Sequence, residues 1–177
     1  CYSTFEESLK ENCDGYIVST PSYTHYKISK EIITRGFPVL VEKPMCLTVK
    51  DSHKIKDLLI KNDDKLMVGH LMLFHPAIIK MKKMINENKI GKIFYIYSNR
   101  VNNGTIRDNE NVLWSFAPHD ISIFQFFIQA FPQKVTSNGS SHINKNIYDS
   151  VLTSIQYPNN IKGHIFNSWI HPFKEHR

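Results

Sequence analysis

Apolar residues fall in two rhythms along the 177-residue chain. Over the first part, short apolar runs alternate with stretches of helical spacing: Tyr16-Ile17-Val18, then Ile28, Ile32 and Ile33 between Thr24 and Arg35, then Val39-Leu40-Val41, then Ile55, Leu58 and Leu59, then Leu66-Met67-Val68. The apolar runs predict short buried strands, and their alternation with helices predicts βαβ units and a parallel sheet. Gly36 suits the C′ position after the first helix. Thr48, with Asp51 three residues on, predicts a capping-box start for the second.

From Pro76 onward the rhythm changes. Ala77, Met81, Met84 and Ile85 predict a helix that ends near Gly91. After it, Ile93, Tyr95 and Tyr97 alternate, as do Val151, Thr153, Ile155 and Tyr157, and again Ile161, Gly163, Ile165, Asn167 and Trp169. Period two with one polar face predicts antiparallel strands, and Pro158-Asn159-Asn160 predicts the turn of a hairpin. Ile121 to Ile128 is apolar nearly all round, which predicts a buried helix opened by Pro118-His119-Asp120. The change near residue 70 places a domain boundary, with residues 1–69 and 70–177 on either side. The fold class is α/β: the later half of a Rossmann-like doubly wound domain, followed by an α+β domain with a mainly antiparallel sheet.

Composition narrows the function classes. The net charge of +6 comes from lysines spread along helices, such as Lys50, Lys54 and Lys56, which reads as solvated faces rather than a nucleic-acid patch. Cys1, Cys13 and Cys46 are too few and too irregular for a disulfide framework and form no Cys-x-x-Cys pair, so a reduced, cytoplasmic protein is expected. Apolar stretches stop well short of the ~20 residues a membrane span needs. The start lacks the basic and apolar regions of a signal peptide. The chain begins at Cys1 and closes on Lys174-Glu175-His176-Arg177 directly after a strand-like segment, so both ends read as cut.

Candidate chemistry sits at strand ends, because open α/β sheets hold ligands outside the carboxyl ends of their strands. Ser19-Thr20-Pro21-Ser22 and Glu42-Lys43-Pro44 occupy such ends. A lysine desolvated there can exchange protons with a hydroxyl near neutral pH; the alternative is a solvated loop charge. His119 at the start of a helix would be kept neutral by the macrodipole and could act as a base, with Asp120 as a cap. A satisfied loop histidine is the other reading. Arg100, Asn102 and Arg107 are expected in a polar loop where arginines suit phosphate or carboxylate. Trp114 could flank a ligand or anchor the loop, whereas Phe124, Phe126 and Phe127 read as core. His70 and His75, five apart, suit a shared metal ion poorly, and no metal is expected.

Taken together, the stretches Asp14 to His25, Gly36 to Pro44, Val68 to Pro76 and Asn99 through Trp114 to Asp120 resemble the Gfo/Idh/MocA oxidoreductase family, with a likeness to its surface-polysaccharide branch of the UDP-N-acetylglucosaminuronate 3-dehydrogenase type. The resemblance implies NAD or NADP as cofactor, NAD favoured, and hydride transfer to or from a secondary alcohol of a sugar or nucleotide sugar. It implies Ser19, Thr20, Pro21, Ser22, His25, Glu42, Lys43 and Trp114 as cofactor-binding, Lys43 and His119 as catalytic, and Lys43, Arg100, Asn102 and His119 as substrate-binding. A homo-oligomer formed through the antiparallel sheet is expected, with neither nucleic acid nor membrane as partner. The Gly-x-Gly-x-x-Gly phosphate fingerprint is absent from the seven glycines, and in the family it lies in the first βαβ unit, ahead of this chain. Two positions depart from the pattern: Ser115 stands where many relatives have aspartate, and Leu73 where arginine is common. Two rivals stay open, a non-catalytic binding or assembly module and a metal-dependent hydrolase or isomerase built on the histidines.

Overall fold

The computed structural model describes residues 2–11, 13–62 and 65–177; Cys1, one of the three cysteines, lies outside the described residues. The chain divides into two compact units, Cys1–Gly69 and His70–Arg177.

In the first unit a short helix α1 (Phe5–Ser8) precedes strand β1 (Tyr16–Val18), helix α2 (His25–Thr34), strand β2 (Val39–Val41), helix α3 (Val49–Asn62) and strand β3 (Leu66–Val68). The sheet order is β1-β2-β3 and every pair is parallel. Side chains alternate across the sheet, so Val18, Val39 and Val41 share a buried cluster with Ile32 and Ile33 of α2 and Ile55 of α3. Each of these isoleucines, fully buried, stabilises the unit by roughly 1.5–3 kcal/mol. Thr48 caps α3: the Asp51 amide donates to Thr48 Oγ1 at 3.1 Å, and the Thr48 hydroxyl donates to Asp51 Oδ2 at 2.9 Å. Gly36, at φ 80°, takes the left-handed position after α2.

The opposite face of this sheet is a correction to the reading of β1 as a buried strand. Ile17, Leu40 and Met67 are aligned across the three strands, and Ile17 is 74% and Met67 48% exposed. Parallel sheets are ordinarily covered on both faces; here α2 and α3 supply one layer of cover.

The second unit runs α4 (Pro76–Asn86), β4 (Tyr95–Asn103), α5 (Val112–Ile128), β5 (Lys134–Ser140), β6 (Ser150–Gln156), β7 (Lys162–Ser168) and β8 (Ile170–His176). The sheet order is β5-β6-β7-β4-β8, antiparallel except for the β4–β7 pair, which is parallel. Tyr157 through Ile161 make the β6–β7 turn, with Asn159 and Asn160 both at φ 59°. Ala117 and Phe124 of α5 pack on Ile155, Tyr157 and Ile165, and Val112 packs with Val151 and Trp169.

Several local expectations change. The helix α4 ends at Asn86 rather than near Gly91, because Asn88 (φ 54°) already takes the left-handed turn. The closing residues form a strand of their own, β8, which pairs with β4. Above all, α5 begins at Val112, capped by Asn111, whose side chain accepts from the Trp114 amide at 3.1 Å. His119 and Asp120 therefore lie two turns inside the helix, and Pro118, at the start of the expected helix, is internal to the observed one.

Candidate active site

In the first unit, the parallel ladder extends one step past the strands. The Glu42 amide donates to the Val18 carbonyl at 2.9 Å and the Gly69 amide to the Val41 carbonyl at 2.7 Å. Glu42 and Lys43 are therefore set at the carboxyl edge of the sheet by backbone bonds, and Ser19 stands at the same edge after β1. The Lys43 amide donates back to Glu42 Oε2 at 3.3 Å, and the Lys43–Pro44 peptide is cis. A Cβ on Gly69 would stand 3.3 Å from the Glu42 carboxylate, so the glycine leaves that acid room. Thr20 Oγ1 meets Thr24 Oγ1 at 2.6 Å, and Thr24 Oγ1 donates to the Pro21 carbonyl at 2.7 Å, closing the Ser19–Ser22 loop on a 3₁₀ turn over Ser22–Thr24.

His25 stands behind this edge rather than on it. Its ring is buried, at 1% exposure, with Nδ1 2.8 Å from the Pro44 carbonyl and Nε2 2.7 Å from the Thr20 carbonyl. The ring ties the Thr20 loop to the Pro44 loop, and both nitrogens are turned away from solvent. A carbonyl only accepts, so the ring donates to both only with hydrogen on both nitrogens and to one of them otherwise.

In the second unit, Arg100 and Asn102 lie on β4 and not in a polar loop, because β4 continues to Asn103. Arg100 is buried against Asp120: Nε lies 3.1 Å from both carboxylate oxygens and Nη2 2.8 Å from Oδ1. Ser98 Oγ donates to the same Oδ1 at 2.8 Å, and Asn167 Nδ2 reaches Oδ2 at 3.4 Å. Asp120 is thus a buried partner of Arg100 rather than a helix cap, and the Arg100 fork is already filled. Asn102 packs its carboxamide against Gly104, and its Oδ1 is a buried acceptor without a partner. Arg107 pairs with Glu110 at 2.8 Å.

His119 is half-buried on α5, with buried Ser115 one turn before it. Seven residues into the helix it lies beyond the first turn, where the macrodipole acts, so that argument for a neutral base does not hold. Trp114, also half-buried, stands in the first turn of α5. His75 caps α4 by accepting from the Ala77 amide at 3.2 Å, and burial pushes the His70 ring below the usual imidazole range. Among the described residues no group of three or more His, Cys, Asp or Glu could hold a metal ion, and no helix is long and apolar enough to cross a membrane.

Sequence reading missed the Asp120–Arg100 contact, although the signal was present. Asp120 interrupts an apolar stripe of Ala117, Phe124 and Phe127, and a buried carboxylate demands a cation. Ser98, Arg100 and Asn102 continue the period-two series of Ile96 and so belong to one sheet face, opposite to Tyr95 and Tyr97.

Comparison with known proteins follows the two units. A family model described as "Oxidoreductase family, NAD-binding Rossmann fold" matches residues 1–70, and the "GFO/IDH/MocA C-terminal domain" model matches residues 78–177. The chain is 27% identical to the 2,7-anhydro-N-acetylneuraminate hydratase of Mediterraneibacter gnavus, over 75% of this chain and 38% of that protein. It is 24% identical to the scyllo-inositol 2-dehydrogenase (NAD(+)) of Bacillus subtilis, over 90% of this chain and 50% of that protein. In fold it is similar to the UDP-N-acetylglucosamine 3-dehydrogenase GnnA from Acidithiobacillus ferrooxidans, with a TM-score of 0.86 at 20% identity, over 99% of this chain and 56% of that one. The chain spans about half the length, or less, of each of these relatives.

Proposed function

We propose that this chain, which belongs to the GFO/IDH/MocA oxidoreductase family, is part of an NAD-dependent dehydrogenase that oxidises a secondary alcohol of a sugar or nucleotide sugar. The observation that carries the reading is the set of polar residues at one carboxyl edge of a parallel sheet, Ser19, Glu42 and Lys43, with Gly69 leaving space beside the Glu42 carboxylate. That edge is where a doubly wound sheet receives a nucleotide, and the residues present suit its ribose and nicotinamide end: hydroxyls, an acid to accept from ribose, and a cation. The phosphate-cradling glycines would come from a preceding βαβ unit, which the exposed Ile17 and Met67 on the open face of the sheet could help to seat. NAD, when bound, supplies the hydride acceptor.

Lys43 and His119 carry the proton transfer in this proposal. Loss of hydride from a carbinol builds alkoxide character, so the step needs a base for the hydroxyl proton and a cation for the developing charge. Ser19, Thr20, Pro21, Ser22, Glu42 and Trp114 contact the cofactor, and Asn102, with its unpartnered acceptor, receives a substrate hydroxyl. Arg100 and His25 act from behind, as their buried contacts indicate. Cytoplasmic residence accords with Cys13 and Cys46, both free thiols among the described residues.

The test is turnover by the full-length gene product with NAD⁺ and a panel of inositols, sugars and UDP-sugars, followed by nicotinamide absorbance. Lys43→Ala and His119→Ala should each lower kcat on the order of 10²-fold with smaller effects on KM. Near-wild-type turnover in either variant removes that residue from the step, and absence of NAD-linked turnover across the panel sinks the activity.

The second unit's outer sheet face supports a homo-oligomer. Tyr95, Tyr97 and Leu152 are exposed there, Tyr97 stacks on His164 at 5.4 Å, and β5 is exposed along its whole length. Tyr97→Glu should shift the particle to monomer in sedimentation; a wild-type protein already monomeric at micromolar concentration refutes this assembly.

A further inference from the structure

We propose that the buried Arg100–Asp120 pair is a positioning device for His119, holding α5 at the rotation that aims the imidazole. The proposal rests on the reading of His119 as the base.

Stability does not account for the pair. The buried residues of α5 that pack on the sheet are otherwise apolar, Val112, Ala117 and Phe124, and Asp120, between the last two, is 1% exposed. Well-packed apolar replacements of buried ion pairs are commonly neutral or stabilising, so a carboxylate here is a costly way to hold a helix to a sheet. What it supplies is direction. Its oxygens are held by Ser98 and Arg100 from β4 and by Asn167 from β7, two strands paired in parallel with Arg100 directly opposite Asn167. Contacts from two strands fix both the height and the rotation of the helix, which an apolar seam of the same area leaves softer.

The placement in sequence explains why direction is needed at this point. Pro118 lies inside α5 and has no amide hydrogen, so the Trp114 carbonyl loses its i+4 donor one residue before His119. The helix is locally weakened at the candidate base, and the anchor at Asp120 falls immediately after. A helix side chain reaches about 6 Å from its axis, so a rotation of about 10° swings His119 by about 1 Å. Displacement on that scale costs about 10²-fold in rate.

The test replaces the pair with apolar groups, Arg100→Met together with Asp120→Leu, in the full-length enzyme. The double variant should keep its fold and KM and lose about 10²-fold in kcat. In the 177-residue chain the amides of His119 to Ser122 should exchange faster than in wild type. Adding Pro118→Ala restores the missing amide donor and should recover at least about tenfold of the lost kcat, which a merely structural pair would not show. Unchanged exchange with kcat within about threefold of wild type overturns the proposal. If the double variant does not fold, Asp120→Asn with exchange at the same amides decides, unchanged protection again overturning it. His119→Ala separates the two levels: normal turnover there refutes the base while the exchange data still judge the anchor.

Discussion

His25→Leu is the sharpest perturbation of the first unit, because it keeps approximate volume and apolar contact while removing both ring nitrogens. Two carbonyls lose their partner. The Pro44 carbonyl contact is buried, so its oxygen is left unsatisfied at about 1–3 kcal/mol, whereas the Thr20 carbonyl contact is only partly buried and water can replace most of it, leaving about 0.5–1.5 kcal/mol. The sum is about 1.5–4.5 kcal/mol. That is a large part of what a unit of this size has in reserve.

The assay follows from where the loss should appear. Amide exchange of Glu42 and Gly69, whose ladder bonds set the carboxyl edge, should accelerate by about 10- to 10³-fold at neutral pH, the range that energy implies when exchange follows opening of the unit. His25→Gln, which keeps one donor, should fall between the two. In the full-length enzyme the loop carrying Lys43 would lose its tie to the Thr20 loop, so affinity for NADH should fall as well. A change below about 0.5 kcal/mol in the exchange free energy of those amides, well under the bonding magnitude, would show that the two loops hold each other without the imidazole.

Two further predictions concern the second unit. Burial pushes the Asp149 carboxyl up, but hydrogen bonds from the His142 ring and from the Ile143 and His142 amides bring it net below its ordinary 3.8. A depressed carboxyl stabilises fully above its unfolded value and loses that contribution as pH falls through the folded value; acid titration should loosen the segment between β5 and β6 below about pH 4, and Asp149→Asn should loosen it already at neutral pH, a result refuted by wild-type amide protection at Ile143. Ser115→Asp places a carboxylate one helical turn from His119 and should favour imidazolium, moving the acidic limb of the oxidation profile to higher pH; an unmoved limb in an active variant would show that the new carboxylate does not reach the ring.

The parallel sheet and strands β4, β6 and β7 of the second sheet were readable from the sequence because their cores follow strict rhythms, whereas β5 and β8, mostly exposed, carry no such rhythm. Three-residue apolar runs alternating with helical stretches read as parallel strands, although only one face of them is covered by α2 and α3, and Val151, Thr153, Ile155 and Tyr157 repeat at two with every one buried. The start of α5 was not readable for a local reason. Pro118 looks like a first-turn proline, yet Asn111 caps the helix two turns earlier, and tertiary packing of Val112 against Val151 and Trp169 carries the helix through the proline. The length of β4 was hidden by its polarity, since Ser98, Arg100 and Asn102 read as loop until Asp120 arrives from α5 to satisfy two of them.

The same physical constraint governs both candidate residues. A group that moves a proton needs access, so it cannot itself be locked by burial; Lys43 and His119 are both only half-buried. Its aim must then come from a neighbour that is locked. In the first unit that neighbour is His25, at 1% exposure, bound to the carbonyl of Pro44, one residue after Lys43. In the second it is Asp120, also at 1%, one residue after His119. Each is a buried polar group whose desolvation is recovered only if its partners stay in place. A side chain that tolerates one geometry transmits that geometry through the backbone to the half-buried group next to it, and so the buried His25 and Asp120, rather than the candidates themselves, fix the precision of the site.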